Sequence, residues 1–184
     1  MHKLTLPQRA LVYATAAHAA VGQTRKYTDE PYIVHPTEVA KIVESVGGTD
    51  IMVAAAYLHD VVEDTKVTHA NVQEMFGNEV ADLVYWLTDV SRPEDGNRAV
   101  RKNIDLLHIA GAPPAAKTIK LADIISNSRS ILTHDRKFAQ VYIPEKAALL
   151  SVLTEGDAGL WMQANQLVVA WNLRLPLSEL LGPG

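Results

Sequence analysis

Residues Met52–Leu58 are apolar on every side of a helical wheel, so a helix built from them has no face to give to water. Such a segment belongs at the centre of a helical bundle, with other elements packed around it. Immediately after it the chain reads His59-Asp60-Val61-Val62-Glu63-Asp64, and four ionisable groups arrive where the pattern is most buried. On one helix running from Ile51 to about Val62 and its continuation, these groups fall within an arc of roughly 140°. A peripheral helix would carry such a stripe as an ordinary solvated face. On a central helix, carboxylates taken out of water must meet a cation, a proton or hydrogen-bond donors. The placement therefore favours a site.

The rest of the chain has helical periodicity, broken where caps are expected. Thr5, with Gln8 at capping-box spacing and Pro7 in the first turn, opens a helix whose apolar face is read as Leu11, Val12, Ala16, Ala19 and Ala20, ending near Gly22. Gln23–Val34 is polar and reads as an ordered loop that Tyr27, Tyr32 and Ile33 pin down. A second helix runs from Pro36 to Gly47-Gly48, and Thr49 and Asp50 cap the apolar one. Further helices are expected from Thr68 to Phe76, Glu79 to Thr88, Arg98 to Ala110, Pro114 to Ser130, Pro144 to Leu153 and Ala158 to Leu173, with a shorter piece between Arg136 and Tyr142. No pair of alternating β-branched runs joined by a tight turn occurs. The expected fold class is all-α, a helical bundle forming a single domain over residues 1–184.

Composition narrows the chemistry. With no cysteine, a disulfide scaffold, a thiolate zinc site, an iron–sulfur cluster and a cysteine nucleophile are all excluded, so any metal must sit on nitrogen and oxygen. A net charge of -4 offers no basic excess for nucleic acid. No apolar run of about 18 residues occurs, and the N-terminal Ala-rich stretch lacks the core of a cleaved signal, so a cytoplasmic protein is expected. Two further polar intrusions stand out. His35 precedes Pro36 at the start of a helix, where a side chain reaches a cleft without breaking the helix. Lys120, Asp123 and Asn127 span only about 60° of a wheel otherwise rich in Ile, Leu and Ala. His18, on the Ala-rich first helix, reads as packing.

In this order, His35, His59-Asp60 and Asp123 resemble the H…HD…D signature of the HD metal-dependent phosphohydrolase superfamily. The blocks RKYTDEPYIVHPTEVAKIV, AAAYLHDVVEDT, FGNEVADLV and IKLADIISNSRSI are similar to the hydrolase domain of the RelA/SpoT alarmone enzymes and of the small stand-alone alarmone hydrolases. The resemblance covers about residues 10–132. It implies an HD-type fold and an Mn²⁺ ion held by His35, His59, Asp60 and Asp123. The implied reaction removes the 3′-pyrophosphate of ppGpp or pppGpp to leave GDP or GTP. In that family the positions of Glu63 and Asp64 orient or deprotonate the attacking water, while Arg25, Lys26 and Asn127 lie at the nucleotide.

The residues agree with those expectations. Two imidazoles and two carboxylates make a mixed N/O set for Mn²⁺, Fe²⁺ or Zn²⁺. A polyanionic small-molecule nucleotide in an acidic chain needs a local positive field, for which Arg25 and Lys26, then Lys120, Arg98 and Arg101, are the candidates. Two departures from the family pattern bear on the base. No glycine lies between Lys26 and Pro31, and Ser126 stands where the family often has Tyr or His. They make (p)ppApp an alternative substrate; a related HD phosphohydrolase acting on NADPH is a further alternative enzyme, and a non-catalytic nucleotide-sensing module built on a decayed site is the alternative from another class. The last residues, Leu181-Gly182-Pro183-Gly184, leave no room for a synthetase domain, so degradation is expected, and a homo-oligomer is compatible with all of this.

Overall fold

Thr5 Oγ1 accepts from Gln8 N while Gln8 Oε1 accepts from Thr5 N, and this reciprocal cap starts α1, Leu6–Ala20. The structure, a computed structural model, describes residues 3–175, so His2 and the closing Leu181–Gly184 lie outside the described residues. The chain divides into two compact units, residues 1–90 and 91–184.

In the first unit α1 is followed by α2 (Val34–Ser45), α3 (Asp50–Leu58), α4 (Val61–Asp64), α5 (His69–Phe76) and α6 (Asn78–Leu87). Helix α3 is central, as its composition demands: Val53–Leu58 are all buried, and α1, α2 and α6 pack on it. The contact face of α1 differs from the expected one. Its buried residues are Ala10, Ala14 and His18, at steps of four, whereas Val12 is 59% exposed and Ala16, Ala19 and Ala20 face outward. The reason is size. Ala10 and Ala14 are small residues on the buried side of α1, which packs on α3, and small side chains let two helices approach closely.

The expected helix from Ile51 to Val62 is interrupted. Helix α3 stops at Leu58, Asp60 takes φ -101° and ψ -5°, and α4 is a separate single turn. The four ionisable groups are thus carried by a joint and a short helix rather than by one continuous stripe.

In the second unit a 3₁₀ turn (Pro93–Asp95) leads into α7 (Arg98–Ala110), α8 (Pro114–His134), α9 (Arg136–Leu150) and α10 (Ala158–Asn172). Helix α8 forms the core of this unit, burying Ile119, Leu121, Ile124 and Ile125 and packing against α9 and α10. It runs four residues past the expected end at Ser130. The break expected before Pro144 is absent, because α9 carries that proline inside one helix. A proline there forgoes one backbone bond, and the buried neighbours Tyr142 and Ile143 hold the helix together across it. Among the described residues there is no strand, only an isolated bridge between Thr24 and Pro31.

Candidate active site

Helix α2 begins at Val34, two residues before the expected start, which places His35 and Pro36 in its first turn. A proline is tolerated there because its missing N–H would have had no helical partner. His35 and His59 are both 1% exposed, with ring centroids 5.1 Å apart. A ligand nitrogen of one lies within 4.8 Å of a ligand nitrogen of the other. Both Nε2 atoms converge on Asp60 Oδ2, at 3.0 Å from His59 and 3.6 Å from His35.

His59 Nδ1 lies 2.8 Å from the Ala56 carbonyl oxygen, which only accepts, so Nδ1 carries a proton and, in the neutral tautomer this selects, the Nε2 lone pair faces Asp60. A lone pair 3.0 Å from a carboxylate oxygen calls for a cation or proton between them. Tyr32 Oη donates to the same Asp60 oxygen at 2.5 Å. This His-His-Asp cluster suits a divalent cation by donor type, by tautomer and by the bond that orients the carboxylate.

Glu63 and Asp64 are exposed on α4, yet each has one oxygen anchored. Asp89 N donates to Glu63 Oε1 at 2.5 Å, and Gln23 Nε2 donates to Asp64 Oδ2 at 2.9 Å. Arg25 and Lys26 sit on a tight reversal in which Arg25 N donates to Glu30 O at 2.8 Å and Asp29 N to Arg25 O at 3.0 Å. Asp29 makes the left-handed turn, at φ 56°. Aspartate is among the few residue types that tolerate that conformation, so the reversal forms without the glycine the family usually places there. The Lys26 ammonium donates to Tyr27 Oη at 3.2 Å and lies 4.8 Å from that ring's centre.

In residues 91–184, the narrow stripe on α8 is a set of direct contacts. Asp123 is 7% exposed, Asn127 Nδ2 donates to its Oδ1 at 2.7 Å, and Lys120 Nζ stands 3.2 Å from its Oδ2. Ser126, the small residue of the motif, is buried beside them. Arg101 is half-buried on α7, whereas Arg98 makes a two-pronged contact with Glu145 at 2.7 and 2.9 Å. Burial, then the Asp123 charge, pushes the Tyr142 phenol above its ordinary range.

Lys146, its ammonium 4.7 Å from the Tyr142 ring centre, is pushed down to about 8 by burial and then by Lys120. The folded chain releases that proton well below the unfolded value of 10.5, so between the two the unfolded state binds more protons and stability rises with pH. Lys146→Met is expected to raise Tm at pH 7, with the gain fading as pH climbs toward 10.5, when calorimetry is run on the chelator-treated chain.

The bonds from Tyr32 to Asp60, Gln23 to Asp64 and Asp89 to Glu63 were not legible in the sequence. The loop tyrosine was read as an anchor, but its partner lies 28 residues away.

Comparison with known proteins follows this geometry. A model of the HD domain matches residues 10–144. A Synechocystis protein named a probable guanosine-3′,5′-bis(diphosphate) 3′-pyrophosphohydrolase is 36% identical over 126 residues, 67% of this chain and 16% of that protein. An Aquifex aeolicus protein, named a guanosine-3′,5′-bis(diphosphate) 3′-pyrophosphohydrolase, is 28% identical over 160 residues, 87% of this chain and 22% of that one. The chain thus spans less than a quarter of the length of these curated relatives. A solved structure of a metazoan ortholog of SpoT, described as hydrolysing ppGpp, matches with a TM-score of 0.81 at 26% identity, covering 95% of this chain and 98% of that one. The matched span holds His35, His59, Asp60 and Asp123 on an all-helical framework, and the chain belongs to the HD domain family.

Proposed function

We propose that this chain is a metal-dependent 3′-pyrophosphohydrolase of guanosine alarmones, converting ppGpp or pppGpp with water to GDP or GTP and pyrophosphate. The observation that carries this reading is the convergence of two buried imidazoles on Asp60, with Glu63 and Asp64 anchored one turn further on. The names of the relatives and the reported activity of the metazoan structure support it. We take residues 1–184 as one functional domain working on a small-molecule nucleotide in the cytoplasm, with a homo-oligomer compatible with that role.

The ligands in this reading are His35, His59, Asp60 and Asp123, and the ion is Mn²⁺, which a mixed N/O set accommodates. When bound, the ion supplies Lewis-acid polarisation of the phosphoryl centre and acidifies water beside it. The protein's own groups do the rest. Glu63 takes the proton from the attacking water, and Asp64, held by Gln23, orients that water. An oxygen–phosphorus bond forms as the bond to the ribose 3′-oxygen breaks, and the proton taken from water, passed on through the carboxylate pair and solvent, completes the 3′-hydroxyl of the product. Arg25 and Lys26 hold phosphates from their rigid reversal, with Lys120 and Arg101 adding charge and Asn127 meeting the sugar.

Hydrolysis of ppGpp by the purified chain with Mn²⁺, followed as GDP and pyrophosphate, tests this reading. A chain that binds ppGpp without turning it over would instead be a nucleotide sensor. Arg25→Ala and Lys26→Ala are each expected to raise KM by about 10–100-fold with a smaller change in kcat, the pattern of a lost charge-assisted phosphate contact. The buried Ser126 favours one second reading, a (p)ppApp or NADPH hydrolase, because its small side chain leaves room that Tyr or His would fill. Rates on the guanosine and adenosine alarmones and NADPH, measured side by side, decide between them.

A further inference from the structure

His18 lies on the buried seam of α1, 1% exposed, where packing alone would account for it. Its polar contacts say more. His18 Nδ1 is 2.7 Å from Gln23 Oε1, and Gln23 Nε2 is 2.9 Å from Asp64 Oδ2. An ionised carboxylate only accepts, so Gln23 must turn its NH₂ group to Asp64 and its carbonyl oxygen to His18. That orientation requires the proton on His18 Nδ1. The other ring nitrogen, Nε2, is buried with no hydrogen-bond partner among the described residues, so Nδ1 is the nitrogen through which the ring makes its polar contact.

Gln23 is equally constrained through its backbone. Its N donates to His18 O at 3.2 Å, and its O accepts from Tyr32 N at 3.2 Å. The Tyr32 ring covers His18 at 4.7 Å between centroids. These bonds fix the Gln23 backbone between the end of α1 and the loop, and its side chain reaches Asp64 on α4.

We propose that His18 and Gln23 are positioning residues for Asp64, acting in series: the His18 Nδ1–H fixes the Gln23 amide, and the amide fixes the carboxylate. The proposal rests on the reading of Asp64 as part of the water-activating pair. With Oδ2 occupied by Gln23, Oδ1 is the oxygen left to face the attacking water. A neutral amide donor favours the ionised carboxylate without cancelling its charge, as a lysine in its place would. Arg25 and Lys26 lie two and three residues after Gln23, beyond Thr24, so the proposed phosphate-binding cations sit close in the chain to the residue that holds the Asp64 carboxylate.

The test is ppGpp hydrolysis with Mn²⁺ against pH for the wild-type chain, Gln23→Met, Gln23→Glu, His18→Leu, His18→Asn and the His18→Leu/Gln23→Met double variant. Gln23→Met is expected to lower kcat by about 10–100-fold with KM nearly unchanged, and to move the acid limb of kcat up by about one pH unit. His18→Leu shifts both in the same direction, and His18→Asn, whose amide N–H takes the place of Nδ1–H, recovers most of the loss. Because the two residues act in series, the double variant is no slower than Gln23→Met alone. Gln23→Glu keeps the shape of glutamine while setting a second carboxylate against Asp64. It moves the acid limb further up, and it serves if Gln23→Met does not fold. An unmoved acid limb in the Gln23 variants, or losses that multiply in the double variant, would overturn the proposal. Nitrogen-15 spectra of the imidazoles give a readout independent of turnover. A proton on His18 Nδ1 in the wild type, lost from that nitrogen in Gln23→Met, supports the series, and a wild-type Nε2–H tautomer refutes it. If the wild-type chain does not turn over while His18 keeps its Nδ1 proton, the functional reading fails and the hydrogen-bond series stands.

Discussion

Asp60→Ala is expected to eliminate both the proposed metal uptake and hydrolysis. Asp60 supplies the oxygen on which His35 and His59 converge, so its removal takes away the proposed anionic ligand between two buried imidazoles. The expected fall in kcat is at least about 10³-fold, since the ion's contribution to the transition state is worth several kcal/mol. Calorimetric titration with Mn²⁺ should show no saturable site in the variant, while its helical circular dichroism stays that of the wild type. Asp60→Asn separates geometry from charge. It keeps an acceptor for the Tyr32 hydroxyl and a similar shape, so the joint between α3 and α4 survives while the anionic ligand is gone. Turnover that persists in Asp60→Asn with undiminished Mn²⁺ affinity would remove Asp60 from the ligand set.

Glu63→Gln should bind Mn²⁺ and ppGpp as the wild type does and turn over about 10²–10⁴-fold more slowly, the range expected when a general base loses its proton-accepting oxygen. The amide retains an oxygen for the Asp89 backbone N–H, so the local fold is not the variable. Equal losses in kcat and kcat/KM identify a group used only in the transition state. A rise in KM with kcat unchanged would instead make Glu63 a binding residue.

Much of this was legible in the residues. The apolar run Met52–Leu58 announced a central helix, and α3 is that helix. The caps at Thr5, Thr49 and Thr68 lie where hydroxyl side chains satisfy the first free N–H groups. Other features depend on distances that a linear pattern does not encode. The α1 face was misjudged because hydrophobicity alone favours Val12, whereas close packing favours Ala10 and Ala14. The break after Leu58 escaped notice because the apolar pattern runs on through Val61 and Val62, while the backbone departs from helical geometry at Asp60. The His18–Gln23–Asp64 series depends on a bond between residues 41 positions apart, made by a glutamine that looked like ordinary loop polarity.

A helix of four residues has almost no stability of its own, since one turn scarcely repays the cost of nucleation. The order of α4 is therefore borrowed: Gln23 and Asp89 hold its carboxylates, and Tyr32 holds the aspartate that precedes it. In the landscape of partial openings, α4 is the place where this unit comes apart before the seam between α1 and α3 does. Glu63 and Asp64, the pair proposed to activate water, thus belong to the least self-supporting element of the unit, and opening of α4 alone would disable the proposed chemistry while the core stays folded.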